Sequence, residues 1–368
     1  MEKSVDFKKE FAELLSESCL YNNASIEESQ EVWGKIKALL LPNIPSKLFR
    51  FRSCNVNNII SLQKGTISFC VAGKFNDKYD SLVYINREAI NKTVEDFLDK
   101  GGVDVICRMF TDASQHDNLV SDWGEDVVKI ISTFLNTTPI EECRKKMFDD
   151  IRNFKEVVLS RINNHVDFMR KGRNTKIACF TEDVQSLYMW DQYAEGYKGF
   201  ALEYDFREFY SKGCRMCPNN PTCLHESKNY SNLFPVIYSN ERYDATTNIV
   251  NFVLKDFFQE LNAHVNYPFD LLYLFKSYLY KNIESYAHEK EWRIITCCPH
   301  LLDSDYAEIS DMGCLKAIYY GPNMEKQLKD FLSIVAKTRG LQEYDLTIDD
   351  QCSRYALKVV PYNEKKTQ

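Results

Sequence analysis

The sequence predicts an α+β protein, in which a mixed, largely antiparallel and split sheet carries large helical insertions. Short β-branched and aromatic runs predict strands, and longer segments with apolar residues at helical spacing predict helices. Helices do not alternate regularly with strands, which disfavours a repeated βαβ architecture. We expect an N-terminal helical segment over residues 1–45 and one α+β domain over 46–362, with a helical insert at 86–172 and a cysteine-containing insert at 207–235.

The N-terminal half opens with helical patterns at 4–20 and 26–41, and Pro42 stops the second one. A strand at 47–53, a short helix at 57–64, a stop at Gly65 and a second strand at 66–71 follow. The long middle section reads as several helices, the last of which runs from Ile140 to Lys171.

The C-terminal half is dominated by strand patterns with helices between them. The predicted strands are 175–182, 198–205, 235–239, 288–295, 315–322 and 355–362, and the predicted helices are 186–196, 245–264, 270–283 and 324–338.

Composition limits the classes of partner. The chain has 368 residues, 44% of them hydrophobic, which is enough for a substantial core. A net charge of −7 argues against a broad phosphate-binding surface but leaves room for a local basic pocket. Small molecules or proteins are therefore expected as partners before long nucleic acids.

The N-terminal sequence and the cysteine count indicate the cytoplasm. The opening MEKSVDFKKEFAELL has no apolar core of signal-peptide type, and no run approaches the roughly 20 apolar residues that span a bilayer. The odd number of cysteines, 13, is typical of reduced thiols. We expect no membrane partner, and the oligomeric state stays open.

The segment HEKEWRII, residues 288–295, is the strongest candidate for a site. Because side chains alternate along a strand, Glu289, Glu291 and Arg293 would share one face, while Trp292 and Ile294 would turn inward. Two carboxylates and a guanidinium beside a buried strand indicate either a functional site or a ladder of salt bridges.

Arg50 and Arg52 flank Phe51 on the first predicted strand. Two guanidinium groups on one face can bind a pyrophosphate bidentately. The alternative is an edge strand whose arginines are solvated.

The segment CFTEDVQSLYMWDQY, residues 179–193, joins a strand to a helix and carries Thr181, Trp190 and Tyr193. The hydroxyls of Thr181 and Ser186 could cap the helix, whose N-terminus favours anions. Aromatic rings beside it could stack on a planar base. The alternative is that Trp190 and Tyr193 belong to the core.

Two further motifs are weaker. The loop GKFNDKYDS holds Asn76, Asp77 and Asp80, which suit a ribose or a cation, although turns favour Asn and Asp for backbone reasons alone. The candidate zinc ligands are Cys214, Cys217, Cys223 and His225. Structural zinc sites usually separate their ligand pairs further, so free thiols in a loop are the favoured interpretation.

The order of LFRFRS, NIISLQKGTISF, FNDKYD, ACFTE, LYMWDQYAEGYKGFALEYD, EKEWRII and LKAIYYG resembles a group of uncharacterised bacterial proteins, the domain of unknown function 2971. The resemblance covers about residues 47–360 and implies no activity. More distantly, the layout resembles the ADP-ribosyltransferase superfamily, closest to the bacterial enzymes that modify DNA.

In that comparison Arg50 corresponds to the first motif and the stretch from Asn58 to Gly65 to the helix and turn that follow. Phe180 and Thr181 with Met189 correspond to the middle element, and Glu291 to the catalytic glutamate. The middle position is Thr rather than Ser-Thr-Ser, and the helical region before it is long.

The resemblance implies a split sheet of ADP-ribosyltransferase type and NAD as co-substrate, with no metal. Glu291 would stabilise the oxocarbenium-like species, and Glu289 would orient or activate the acceptor. Arg50, and more weakly Arg52, would hold the NAD pyrophosphate, Thr181 would steady the strand beside the ribose, and Trp190 or Tyr193 would stack on the base. The acceptor would be a protein or a nucleic acid, in phage defence or as a toxin, or water in an NAD glycohydrolase.

Two other classes of function remain. A non-catalytic nucleotide- or protein-binding module would use the Glu-Lys-Glu-Trp-Arg face as an internal ladder, with Arg50 paired to Glu291. A metal-dependent hydrolase or nuclease would place Asp77, Asp80, Glu289 and Glu291 around a divalent cation.

Overall fold

The structure is a computed structural model that describes residues 3–207, 232–261, 263, 267–296 and 304–362. Helices and strands both build it, and its main sheet is open and mostly antiparallel, as the sequence predicted. No helix in these ranges combines the length and the apolar character that crossing a bilayer requires.

The helices concentrate in the middle of the chain. They are α1 Lys3–Glu17, α2 Ile26–Leu40, α3 Val56–Lys64, α4 Arg87–Asp99, α5 Gly102–Thr111, α6 His116–Trp123, α7 Glu125–Thr137, α8 Ile140–Lys171, α9 Leu187–Tyr193, α10 Thr246–Glu260, α11 Tyr273–Leu279, α12 Ile283–Tyr286 and α13 Lys326–Thr338.

The strands flank this helical region. They are β1 Leu48–Arg52, β2 Thr66–Cys70, β3 Lys176–Thr181, β4 Phe200–Tyr204, β5 Leu233–Pro235, β6 Ile237–Ser239, β7 Tyr280–Asn282, β8 Glu291–Thr296, β9 Tyr306–Ser310, β10 Leu315–Tyr320, β11 Gln342–Ile348 and β12 Leu357–Pro361.

Strand β3 is the branching point of the main sheet. Along one edge it pairs antiparallel with β8 over its whole length, and β8 pairs in turn with β5. A strand has only two edges, so its other edge is shared between β1, which meets it at Thr181, and β2, which meets it at Ile177. The sheet therefore divides beyond β3 into one branch, β1-β4-β10-β11-β12, and a second branch, β2-β9.

The two faces of the sheet bury different cores. On one face, α1 and α2 pack against the sheet, with Phe7 stacked on Trp292 at 6.1 Å and Phe11 on Phe234 at 6.3 Å between ring centroids. On the other face, Trp190 of α9 meets Phe51 of β1 edge-on at 5.0 Å. The helices α4, α5, α7, α8 and α10 contribute to two further apolar clusters.

The segment before β8 differs from the prediction. The helix expected over 270–283 ends at Leu279, and β7 follows as a short strand parallel to β6. Glu289 does not lie on the strand but ends a 3-10 turn, Ala287–Glu289, after which Lys290 adopts a left-handed conformation with φ 46°. Periodicity does not indicate such a short turn, because it contains too few residues to show a period.

Besides β7, the strands β9 and β11 were not predicted from the sequence. Strand β11 alternates poorly and is largely exposed, and it is held by β10 on one side and β12 on the other. Its strand conformation therefore depends on tertiary pairing more than on its own pattern.

Candidate functional site

A buried ammonium group lies at the centre of the candidate site. Nζ of Lys281, on β7, is 2.6 Å from Oε2 of Glu289 and 2.9 Å from Oε2 of Glu291. The ring of Tyr286 lies against the same ammonium group, with its centroid 4.3 Å away. The two glutamates of the EKEWR motif thus meet at one lysine, although one is in a turn and the other on a strand.

Arg293 extends this cluster to the FNDKYD loop. Its Nε is 2.8 Å from Oε1 of Glu291, and its two terminal nitrogens are 2.8 and 2.5 Å from the two carboxylate oxygens of Asp80. Nη1 also donates to the carbonyl oxygen of Tyr278 at 2.7 Å. A guanidinium with its donors occupied in this way is a fixed part of the structure.

We call Asp80, Lys281, Glu289, Glu291 and Arg293 the buried charge network. Three carboxylates face two cations in it, so it carries an excess negative charge when all groups are ionised. Burial alone would raise the pKa of Glu291, but the charges of Arg293 and Lys281 outweigh burial and lower this pKa to about 2. Glu291 is therefore a carboxylate throughout the physiological pH range.

Two further motif residues position Glu289. The hydroxyl of Thr181 donates to the backbone carbonyl oxygen of Glu289 at 2.6 Å, which anchors the turn to the end of β3. The hydroxyl of Tyr193 donates to Oε1 of Glu289 at 2.8 Å. Tyr193 is 39% exposed whereas Glu289 is 3% exposed, so Tyr193 separates the network from solvent.

A pocket of about 420 Å³ opens beside Lys281. Its wall is formed by three segments, namely part of the FNDKYD loop with the residues that follow it, the end of β6 with the turn after it, and the stretch from α11 through β7 to α12. The lining residues are Asp77, Tyr79, Leu82, Val83, Ser239, Asn240, Glu241, Arg242, Tyr243, Ser277, Tyr280, Lys281, Asn282, Glu284, Ser285 and Tyr286.

Arg50 and Arg52 form a second charged feature, the arginine pair. Nη2 of Arg52 donates to Oγ of Ser68 at 2.9 Å, which places its side chain across the division between β1 and β2. The guanidinium of Arg50 lies 5.6 Å from the centroid of the Phe180 ring, and its Nη1 is buried without a hydrogen-bond partner. Within the described ranges, neither arginine forms an ion pair with a carboxylate.

The environment of the arginine pair disfavours two positive charges. Burial lowers the pKa of Arg50, and burial together with the charge of Arg50 lowers the pKa of Arg52 to about 9. A bound anion would offset both effects, because an opposite charge favours the protonated guanidinium.

Cys179 on β3 lies between the arginine pair and the buried charge network. Burial and the nearby charge of Glu291 raise its pKa well above the ordinary value, so it is a thiol. It is also close enough to Arg50 to interact with that charge. Arg50 and Glu291 are therefore neighbours of one side chain without being paired to each other.

Several predictions about the site need correction. Glu291 is paired with Arg293 and Lys281, so the pairing of Arg50 with Glu291 in the alternative of an internal ladder is wrong. Trp190 is fully buried and its Nε1 donates to the carbonyl oxygen of Val184 at 2.6 Å, so it belongs to the core and cannot stack on a base in this structure. Tyr193 keeps an exposed ring.

Two observations on the described residues disfavour the predicted divalent-cation site. Both oxygens of Asp80 accept from Arg293, which leaves the carboxylate little capacity for a cation. In the part of the chain that the structure describes, no group of three or more His, Cys, Asp or Glu side chains is arranged to hold a metal ion. The zinc candidates Cys214, Cys217, Cys223 and His225 lie outside the described residues.

Sequence reasoning did not identify Lys281. It lies in LYKNIES, between a helix and a strand signal, and a single lysine there looks like an ordinary surface charge. The available signal was the position of Lys281 eight residues before Glu289 and ten before Glu291. Such a short separation along the chain does not by itself show that the side chains are in contact.

One comparison with known proteins gives a match. A family model described as "Protein of unknown function (DUF2971)" matches residues 189–294, from α9 to β8. Over that segment the chain is similar to this family, as the resemblance to an uncharacterised group predicted, and the segment includes Tyr193, Lys281, Glu289, Glu291 and Arg293. No curated protein and no solved structure matches the chain. The ADP-ribosyltransferase resemblance stays a prediction.

Proposed function

We propose that the chain is an NAD-dependent enzyme of ADP-ribosyltransferase type. It cleaves the bond between nicotinamide and ribose and transfers ADP-ribose to a protein or nucleic-acid acceptor, or to water as an NAD glycohydrolase. A role in phage defence or as a toxin remains a prediction of the resemblance alone.

The arginine pair is the observation that carries this proposal. A buried guanidinium nitrogen without a partner costs about 1–3 kcal/mol, and such groups normally find an acceptor. Among the described residues, Arg50 has such a nitrogen, and Arg52 donates to a neutral serine hydroxyl. Two adjacent guanidinium groups without a carboxylate partner in the described part of the chain match the two phosphates of a dinucleotide in charge and in donor geometry.

The buried charge network supplies the second requirement. Cleavage of the nicotinamide–ribose bond leaves its electron pair on nicotinamide and positive charge on the ribose. An ionised carboxylate close to that charge stabilises it, and the low pKa of Glu291 keeps this group ionised. The acceptor then forms the new bond to the ribose carbon and loses a proton, for which Glu289 is the proposed acceptor.

Access to the two glutamates runs past Tyr193 in this proposal. Its exposed ring covers Glu289, and a nucleotide that displaces the hydroxyl from Oε1 would face the carboxylate directly. Thr181 holds the Glu289 turn against β3, so it positions the carboxylate without touching the substrate.

The test is NAD consumption by the purified protein and by Glu291→Gln, Glu289→Gln and Arg50→Lys. We expect release of nicotinamide from the unmodified protein and a loss of about 10²–10³-fold in Glu291→Gln, because electrostatic stabilisation of developing charge is usually a large term. Asp117→Asn, at a carboxylate that is fully exposed and far along the chain, is the matched control. Turnover that survives Glu291→Gln would exclude Glu291 as the catalytic carboxylate.

Folding of each variant is checked by circular dichroism, because removal of one partner from a buried ion pair is strongly destabilising. If Glu291→Gln does not fold, Arg50→Lys still tests the proposal. It keeps the charge but loses the planar donor pair, so the NAD dissociation constant should rise by about tenfold while the fold is retained.

A second candidate is a nucleotide-binding module without catalysis. The observation in its favour is that Glu289 and Glu291 are only 3% and 4% exposed and that both are occupied by ion pairs. This alternative predicts that NAD or ADP-ribose raises the melting temperature while nicotinamide is never released.

A further inference from the structure

The pocket beside Lys281 plays no part in the proposed reaction, and its chemistry differs from that of the arginine pair. Four tyrosines line it, Tyr79, Tyr243, Tyr280 and Tyr286. A volume of about 420 Å³ is within the range of small-molecule sites in proteins. The pocket therefore has the size and the aromatic walls of a site for a small organic ligand.

Three carboxylates on the pocket wall have no cation of their own. Asp77, Glu241 and Glu284 line the pocket, and no ion pair involves any of them within the described residues. Oδ1 of Asp77 accepts a hydrogen bond from the backbone N–H of Tyr79 at 2.8 Å. The wall thus presents uncompensated negative charge.

Of the two cations on the wall, Lys281 is paired with carboxylates, whereas Arg242 contacts neutral groups. Lys281 is held by Glu289 and Glu291. The guanidinium of Arg242 lies 5.5 Å from the centroid of the Tyr84 ring and donates to the carbonyl oxygen of Val83 at 3.4 Å.

The residues on the pocket wall and those of the buried charge network behind it together carry more negative than positive charge. Asp77, Glu241 and Glu284 on the wall and Asp80, Glu289 and Glu291 behind it are six carboxylates, and they face three cations, Arg242, Lys281 and Arg293. An anion entering the pocket would meet the unpaired carboxylates, whereas a cation would be attracted.

The rings on the wall can also bind a cation. The ammonium of Lys281 already lies 4.3 Å from the centroid of Tyr286, which shows this ring in a cation–π contact. A ligand cation beside Tyr79, Tyr243 or Tyr280 would make the same kind of contact while its charge faces Asp77 or Glu284. We propose that the pocket binds a small organic cation that carries a guanidinium or alkylammonium group.

The direct experiment is calorimetric titration of the full chain with agmatine, with N-butylurea as a neutral probe of similar shape. We expect agmatine to bind and N-butylurea to bind at least tenfold more weakly. Glu284→Gln and Asp77→Asn should each raise the agmatine dissociation constant about fivefold, and Asp117→Asn should leave it unchanged. Equal affinity in Glu284→Gln and Asp117→Asn, or no binding of agmatine, would overturn the proposal.

The tyrosine is tested separately from the carboxylates. Tyr79→Phe keeps the ring and should bind agmatine as the unmodified protein does, whereas Tyr79→Leu should bind about fivefold more weakly. Inorganic phosphate serves as the anionic probe. If phosphate binds, and binds more tightly to Glu284→Gln than to the unmodified protein, the pocket is an anion site and the proposal is wrong. Arg50→Lys should not change agmatine binding, so failure of the NAD proposal and failure of this one are distinguishable.

Discussion

Lys281 is the residue on which the charges of the candidate site depend. Its single ammonium group lies within 3 Å of two glutamates, at 2.6 and 2.9 Å. Burial alone would lower its pKa, but the charge of Glu291, together with that of Glu289, raises the pKa instead. A lysine in this position gives two carboxylates of the same motif one shared cation.

The first prediction is that Lys281→Met destabilises the protein by about 3–5 kcal/mol, because it leaves Glu289 and Glu291 buried without their shared cation. Urea unfolding measures the change in the free energy of unfolding. Lys146→Met removes an exposed lysine that pairs with Asp150 one helical turn away, and it should cost less than about 1 kcal/mol. Similar losses in the two variants would contradict a stabilising role of the network.

The second prediction concerns pH and the arginine pair. The pKa of Arg52 is lowered to about 9, so this guanidinium is charged below pH 9 and loses its proton as the pH rises through that value. Anion affinity should therefore be highest below pH 9 and fall above it. Titration with ADP-ribose between pH 7 and 10 measures this, since its phosphates stay fully ionised over that range.

Far-ultraviolet circular dichroism at each pH shows whether the fold is intact during that titration. Arg52→Gln provides the comparison, because it removes the titrating group and should bind ADP-ribose weakly with a flat pH profile. An affinity that stays constant from pH 7 to 10 in the unmodified protein would contradict an anion site at Arg52.

Among the elements, helix α3 shows how local sequence and long-range contacts act together. Oδ1 of Asn55 accepts from the backbone N–H of Asn58 at 2.9 Å at its start, and Gly65 ends it in the left-handed region with φ 71°. Nη1 of Arg339 then donates to the carbonyl oxygen of Leu62 at 2.9 Å. The helix is thereby tied to α13 and delivers the chain into β2.

The third prediction is that Gly65→Ala destabilises the protein by about 1–2 kcal/mol, since L-residues with a side chain are strained at this φ. The added Cβ would also lie 2.8 Å from Nη2 of Arg339, which must shift. Gly34→Ala is the matched control, because Gly34 lies inside α2 with no atom within 4 Å of the new Cβ, and helix propensity should make it stabilising by about 0.5–1 kcal/mol. Chemical denaturation measures the change in the free energy of unfolding of both variants. A change of the same sign in both would contradict this reasoning.

At the scale of the whole molecule, the N-terminal helices and the sheet share one apolar core. Phe11 is fully buried and stacks on Phe234 of β5, and Trp33 of α2 meets the same phenylalanine at 6.3 Å. Trp292 of β8, next to Glu291, lies under Phe7. The helices therefore support the strand that carries the candidate site.

The fourth prediction is that Phe11→Ala lowers the free energy of unfolding by about 3–5 kcal/mol, because it opens a cavity in the shared core. Unfolding followed by tryptophan fluorescence and by circular dichroism should show the loss in both signals. Phe331→Ala, at a phenylalanine that is 48% exposed, should cost less than about 1 kcal/mol. A small effect of Phe11→Ala would indicate that α1 contributes little to the fold.

The sequence predicted much of the local structure. The bounds of α2, α3, β1 and β4 agree with the predictions to within two residues, because caps, proline, glycine and alternation are local signals. It also identified Glu289, Glu291 and Arg293 as a group. It did not identify Lys281. It also did not identify the pairing of Asp80 with Arg293, because 213 residues separate these two along the chain.

The amino-acid sequence by itself determined which side chains are charged, which segments alternate and where helices begin and end. Only the tertiary structure decided that Trp190 is core, that Arg50 has no carboxylate partner among the described residues and that Lys281 joins two glutamates. The reason is physical: local propensity acts within a few residues, whereas ion pairs and burial depend on the division of the sheet at β3 and on contacts between segments far apart in the chain.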